Sequence, residues 1–206
     1  TGGNWTIEYF WRNRFEGEPQ AFFESNDPNT WYWPADGFLH DRDVYVILRT
    51  LVDAPGKEMF PFEMTGANLA RISNVEAAPV EWDVQIFDLL EGTPDDVAAT
   101  VVVDGGFLYL FNVNKGGSAV PRPLTLARIP LTGLSDPSSH LEYLAEDGTW
   151  RSGYGKGPAL FVMKDGYSEM SIRFHAGIRR WVAVTSGPEF LSNYIMIRTA
   201  PEPTGP

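Results

Sequence analysis

The sequence predicts an all-β protein, and within that class a β-propeller built of four-stranded antiparallel blades. Three observations carry the expectation. Apolar and polar residues alternate over short runs cut by Gly, Pro, Asn and Asp, and no amphipathic helical stretch interrupts them. A hairpin pattern recurs at intervals of roughly 60 to 70 residues. An arginine-bearing segment then follows each hairpin, which a sandwich of short strands would not be expected to reproduce.

In chain order, residues 1–28, with "NWTIEYFW" and "QAFFES", read as the outer strands of a partial blade. The first full blade spans about 29–92. Its hairpin "GFLHDRDVYVIL" turns at Asp41 and is followed by "NLARI" with Arg71, giving strands near 37–40, 43–49, 67–72 and 82–88, the last from "WDVQIF". The second blade spans about 93–150, with "TVVVDGGFLYLF" turning at Asp104, "TLARI" with Arg128, and "LEYLAE" as its fourth strand. A further partial blade, about 151–206, holds "SIRFHAGIRRWVAV" around His175 and "IMIRT" with Arg198. Each hairpin has an aromatic residue near the start of its second strand: Tyr45, Tyr109 and Trp181. All four segments are expected to form one domain that is an incomplete portion of a ring, five-bladed when complete, because an open propeller leaves sheet faces and edges uncovered.

Composition narrows the function classes. The formal net charge is -11 and the longest run of Lys/Arg is two, so electrostatic attraction to nucleic acid or to anionic lipid is not expected. No apolar stretch reaches the roughly 18 residues of a membrane span, so no membrane insertion is expected. Cysteine is absent, which removes thiol chemistry and Cys-zinc sites. His40 and His140 are isolated, and neither "DPNT" nor "TPDD" has EF-hand spacing, so neither a metal nor any other cofactor is expected.

The order of "WYWPADGFLHDRDVYVIL", "YSEMSIRFHAGIRRWVAV" and "IMIRTAPEPTGP" resembles the five-bladed β-propeller glycoside-hydrolase-like proteins. It is most similar to the bacterial uncharacterised-domain propellers related to endo-D-arabinanases, and more distantly to the arabinanase and levansucrase clan. The resemblance covers the chain from about Thr6 onward. It implies hydrolysis of a polysaccharide, an arabinan-type furanose polymer among the options, in an extracellular or cell-envelope setting, with further blades or domains outside this chain. Such proteins carry a first-blade Gly-Asp-Thr or Gly-Asp-Ser motif that contributes a catalytic acid; this sequence has none.

Propeller sites lie where innermost strands converge. Aligned on the three turns, the residues expected to open those strands are Asp36, Ala98 or Ala99, and Glu169, so two carboxylates flank a methyl group. Glycoside hydrolysis uses one carboxyl group to protonate the leaving oxygen and another to activate water or attack the anomeric carbon. Glu169 is the candidate acid. Asp36 is the candidate base or orienting group, and is read equally well as an Asx turn before Gly37. Strand alternation puts Glu169, Ser171, Arg173 and His175 on one face, a polar wall in which Arg173 and His175 could contact substrate or Arg173 could simply pair with Glu169. Trp31 and Trp33 share a face and could stack on the CH surface of sugar rings, or pack in the core. The readings carried forward are a glycoside hydrolase acting on a carbohydrate polymer and, as the alternative, a non-catalytic carbohydrate- or protein-binding propeller module.

Overall fold

The computed structural model describes residues 6–10, 12–15, 18–57, 60–115, 122–167, 169–187 and 192–205. It is all-β, in antiparallel sheets, with a single short α-helix among these residues. A two-stranded ribbon, β1 (Arg12–Phe15) and β2 (Glu18–Gln20), comes first. Most of "NWTIEYFW" lies outside the described residues or in coil, and Phe22 of "QAFFES" packs edge-on against Trp82 at 5.4 Å.

The first large sheet is a four-stranded meander of β3 (Thr30–His40), β4 (Asp43–Asp53), β5 (Phe62–Ile72) and β6 (Val84–Glu91). The hairpin turn falls at Asp41 and Arg42, both with positive φ, in the two-residue geometry that follows the right-handed twist of the strands. The strands run longer than the periodicity suggested. Trp31, Tyr32 and Trp33 belong to β3, and Asp36 therefore sits inside that strand instead of opening it. A bulge there sets Ala35 and Asp36 against the single residue Ile47. Gly37 permits it, since a Cβ at this position would lie 2.7 Å from the Tyr45 carbonyl oxygen.

The second sheet comprises β7 (Asp96–Asp104), β8 (Phe107–Val113), β9 (Arg122–Pro130), β10 (Glu142–Leu144) and β11 (Trp150–Ser152), with β12 (Met163–Gly166) pairing the start of β9 on the edge whose far end β10 takes. The helix α1 (Pro137–His140) lies between β9 and β10. Gly105 and Gly106, both at positive φ, make the β7–β8 turn. Here too the expected innermost residues Ala98 and Ala99 are interior: Asp96 opens β7, and a bulge holds Val97, Ala98 and Ala99 opposite Asn112. Ala98 takes φ 51°, with its N–H donating to Asn112 Oδ1 at 2.9 Å.

The third sheet is β13 (Met170–His175), β14 (Arg180–Ser186) and β15 (Ile195–Ala200). Tyr45 faces Arg71 and Tyr109 faces Arg128 across neighbouring strands, so the aromatic–arginine repeat of the first two hairpins is a cross-strand pair. In the third unit the register departs: Trp181 faces Ala200, and Arg198 faces Ala183 two positions away.

The sheets stack through two apolar layers. One joins Tyr45, Ile47, Leu69 and Leu89 of the first sheet to Val97, Val101, Leu108, Leu110 and Ile129 of the second. The other joins Val102, Phe111, Leu124 and Leu126 of the second to Ile172, Trp181 and Ala183 of the third. The second sheet is thus covered on both faces, which explains why "DVAATVVV" and "FLYLFNV" read as near-continuous apolar runs. The first strands of the three sheets, β3, β7 and β13, lie next to one another, with β7 in the middle.

Candidate functional site

The adjacency of β3, β7 and β13 brings Asp36 and Arg173 together. Asp36 Oδ2 accepts from Thr100 Oγ1 at 2.8 Å and from the Val101 N–H at 2.9 Å, and Oδ1 accepts from the Gly37 N–H at 2.8 Å. Arg173 Nη2 lies 3.4 Å from the same Oδ2, while Nη1 donates to Thr100 Oγ1 and to the Val101 carbonyl, each at 3.1 Å. One carboxylate, one hydroxyl and one guanidinium therefore tie three sheets. Burial alone would push the Asp36 carboxyl up, but the donors from Val101, Thr100 and Gly37 and the charge of Arg173 outweigh it and hold it below the ordinary 3.8. Asp36 is ionised at neutral pH. It can act as a fixed negative charge or an acceptor and cannot serve as a proton donor.

Register gives direction. Arg49, opposite Trp33, donates from Nε to the Val97 carbonyl at 3.2 Å, and Asp36 reaches Thr100; three positions separate Trp33 from Asp36 and likewise Val97 from Thr100, so β3 and β7 run the same way. Gly166 pairs with Arg122 at the end of the second sheet where Asp96 opens β7, and Arg173 contacts Thr100 farther along, so β13 also runs that way. Trp33, Asp96 and Glu169 consequently lie toward the same end of the three strands. His175 stands at the other, six positions beyond Glu169 on an extended strand, or about 20 Å away. Glu169 is exposed, just ahead of β13; His175 is exposed at its turn.

At the Trp33 end the first and second sheets part around a recess of about 400 Å3 lined by Lys57, Phe60, Phe62, Glu63, Met64, Pro94 and Lys115. Trp33, 42% exposed, packs edge-on against Phe62 at 4.7 Å, and the half-buried Trp31 does so at 6.2 Å. Both tryptophans are thereby held by a third ring on β5. Behind the recess, Lys115 Nζ stands 2.7 Å from Asp96 Oδ1 in an ion pair that lacks hydrogen-bond geometry. The Lys115 N–H donates to Asp95 Oδ1 at 2.8 Å, and Tyr154 donates to Asp95 Oδ2 at 3.0 Å. Burial, then the neighbouring Asp95 charge, pushes the Tyr154 hydroxyl far up, so it stays protonated.

Sequence reading weighed "TPDD", which ends in Asp95 and Asp96, only for EF-hand spacing and gave Lys115, Phe60 and Phe62 no role. Only one signal pointed their way: two adjacent acids opening an otherwise apolar strand, "DDVAATVVV", need partners if buried. Among the described residues no three His, Cys, Asp or Glu side chains converge as metal ligands, and no helix is long and apolar enough to cross a membrane.

The profile of a domain family described as a domain of unknown function, DUF5005, matches residues 9–206. Among solved structures, the chain is similar to a crystal structure of a provisionally assigned hydrolase from Bacteroides ovatus, with a TM-score of 0.63 and 16% sequence identity over 87% of this chain. At that identity the likeness speaks for the fold. The chain spans 44% of the length of that structure. No curated protein matches the chain.

Proposed function

The chain belongs to the DUF5005 family, and we propose that it is part of a β-propeller hydrolase that acts on a carbohydrate polymer. The single observation that carries the reading is one of register: Trp33 with its aromatic recess and Glu169 fall toward the same end of the adjacent strands β3, β7 and β13. Aromatic faces suit the CH surfaces of sugars, and a carboxyl group toward the same end suits protonation of a glycosidic oxygen. In this reading Glu169 protonates the leaving oxygen from the rim. Asp36, ionised and pinned beside Arg173, orients substrate and offsets the positive charge that develops on the sugar ring, while water adds at the anomeric carbon and gives its proton to the Glu169 carboxylate left by the first transfer. The stacking of successive antiparallel sheets through their first strands supports the propeller, and the greater length of the structural neighbour supports further blades outside this chain. A polymeric substrate, arabinan-type furanose polymers included, fits an extracellular or cell-envelope setting because polymers do not cross a bilayer.

The test is Glu169→Gln in the intact protein. Turnover of a natural polysaccharide should fall by several orders of magnitude, and turnover of an activated aryl glycoside far less, because the amide cannot donate the proton that only the poor leaving group needs. Equal losses on both substrates, or none, would remove Glu169 from the role of acid.

One observation favours a second reading. Protein donors already occupy both oxygens of Asp36, as suits a strut between sheets, and this fits a non-catalytic carbohydrate-binding module. Glycan binding that depends on Trp33, with no cleavage of any polymer, would select it.

A further inference from the structure

We infer that the recess between the first and second sheets is a subsite for one neutral sugar unit, with Phe60 and Phe62 covering a ring face and the Lys115 ammonium donating to a hydroxyl or ring oxygen. The inference rests on the carbohydrate reading and adds to it a place, a donor and a charge preference. The recess, at about 400 Å3, falls within the range of roughly 300–1,000 Å3 usual for small-molecule sites. Phe60, Phe62, Met64 and Pro94 supply its apolar walls, and the charged side chains of Lys57, Glu63 and Lys115 complete the lining.

Lys115 is unusually well held for a lysine. Its ammonium lies 2.7 Å from Asp96 Oδ1 and 3.8 Å from Met64 Sδ, and its own N–H is anchored on Asp95. Asp95 is fixed in turn by Tyr154, whose hydroxyl also meets Thr125 Oγ1 at 3.1 Å. A long side chain immobilised during folding gives up little further entropy when a ligand arrives. An ammonium carries three donors; the Asp96 pair lacks hydrogen-bond geometry and the thioether is a weak acceptor, so donor capacity remains for the recess.

Charge decides the class of sugar. Lys57 and Lys115 line the recess, but Lys57 is paired with Glu63 at 2.9 Å and Lys115 with Asp96, and the buried carboxylate of Asp95 stands behind them. Counted with Arg49, whose Nε donates to the Val97 carbonyl, the local charges cancel and leave no surplus cation in the recess, while the whole chain carries -11. Such a field disfavours a uronate or sulfated residue and leaves a neutral sugar, which offers an apolar face to the rings and acceptor oxygens to the ammonium.

The experiment measures binding of the full chain to soluble arabinan, galactan and xylan, with polygalacturonate as the acidic probe, by affinity electrophoresis and calorimetry. The wild-type chain should bind at least one neutral polymer and bind it more tightly than polygalacturonate. Because Lys115→Met alone would strand the Asp96 carboxylate, the informative variant is Asp96→Asn with Lys115→Met, which removes both charges and keeps the packing. It should weaken neutral-polymer binding about tenfold or more with little change in the urea midpoint. Phe62→Leu keeps an apolar side chain and removes the ring face, and should weaken binding similarly; it decides the matter if the double variant does not fold. Wild-type affinity in the folded variants overturns the subsite while leaving the carbohydrate reading intact. Tighter binding of polygalacturonate overturns the charge assignment. A wild-type chain that binds none of the four polymers overturns the parent reading together with the subsite.

Discussion

Replacing Asp36 by Ala removes the acceptor shared by three sheets. The Val101 N–H and the Thr100 hydroxyl, on residues only 3% and 1% exposed, would then lack the oxygen they share at 2.9 and 2.8 Å. A buried donor left without a partner costs about 1–3 kcal/mol. Arg173 adds up to about 1 kcal/mol, because its guanidinium is 56% exposed and water screens a 3.4 Å pair of that kind. The exposed Gly37 N–H is recovered by solvent. The expected loss is about 3–5 kcal/mol, or on the order of 1–2 M in the urea midpoint. Urea unfolding followed by tryptophan fluorescence reads it directly. Linkage supplies an independent check. The folded carboxyl is depressed below 3.8, so its stabilisation is fully present above the unfolded value and disappears as pH falls through the folded one. The gap between wild type and variant should therefore stay constant from neutral pH down to about 5 and narrow below about 4. A gap under about 1 kcal/mol at pH 7, or one that widens in acid, would refute the account of Asp36 as an ionised tie between sheets.

Three further outcomes follow from particular contacts. Gly66→Ala should destabilise by about 2 kcal/mol or more, because its Cβ would fall 2.2 Å from the Leu90 carbonyl oxygen, a backbone atom that cannot swing away; thermal unfolding monitored by circular dichroism reads the shift. Tyr154→Phe should cost about 1–3 kcal/mol by leaving Asp95 Oδ2 without its buried donor, and ultraviolet titration of the wild type should show one tyrosine that resists ionisation well above pH 10. Arg128→Met should cost about 1–2 kcal/mol in denaturant unfolding, since the guanidinium lies 4.2 Å from the Phe107 ring centre and 4.1 Å from that of Trp150 while pairing with Glu142 at 2.8 Å. Arg128→Lys should recover only part of this loss, because an ammonium cannot stack between two rings.

Much of the local structure was legible along the chain. Alternation with period two marks strands and their faces, so the hairpins turning at Asp41, Asp104 and His175 were readable, as was the polar face of β13. The repeat of an aromatic residue and an arginine marked strands in all three units; that it is a cross-strand pair in the first two and not in the third was visible only in the register. Absence of cysteine removed thiol chemistry before any fold was considered. Tertiary structure decided the rest. Periodicity assumes one residue per step and breaks at the bulges at Ala35–Asp36 and at 97–99, so it could not foresee that β3 and β7 begin ahead of them and hold Asp36 and Ala98 in their interiors. Nor does it say which sheet a face meets: the donors that hold Asp36 come from Thr100 and Val101, more than sixty positions away, and the arginine beside it from a third sheet. Glu169 and His175 share a strand face, yet strand rise sets them at opposite ends. The Asp96–Lys115 pair behind the aromatic recess arises where β7 opens and β8 has just ended, a meeting that antiparallel pairing creates and chain order conceals. Local pattern determined which segments are strands and which sides are apolar; long-range packing alone determined which charges meet, because such contacts depend on register and sheet stacking, which no short stretch encodes.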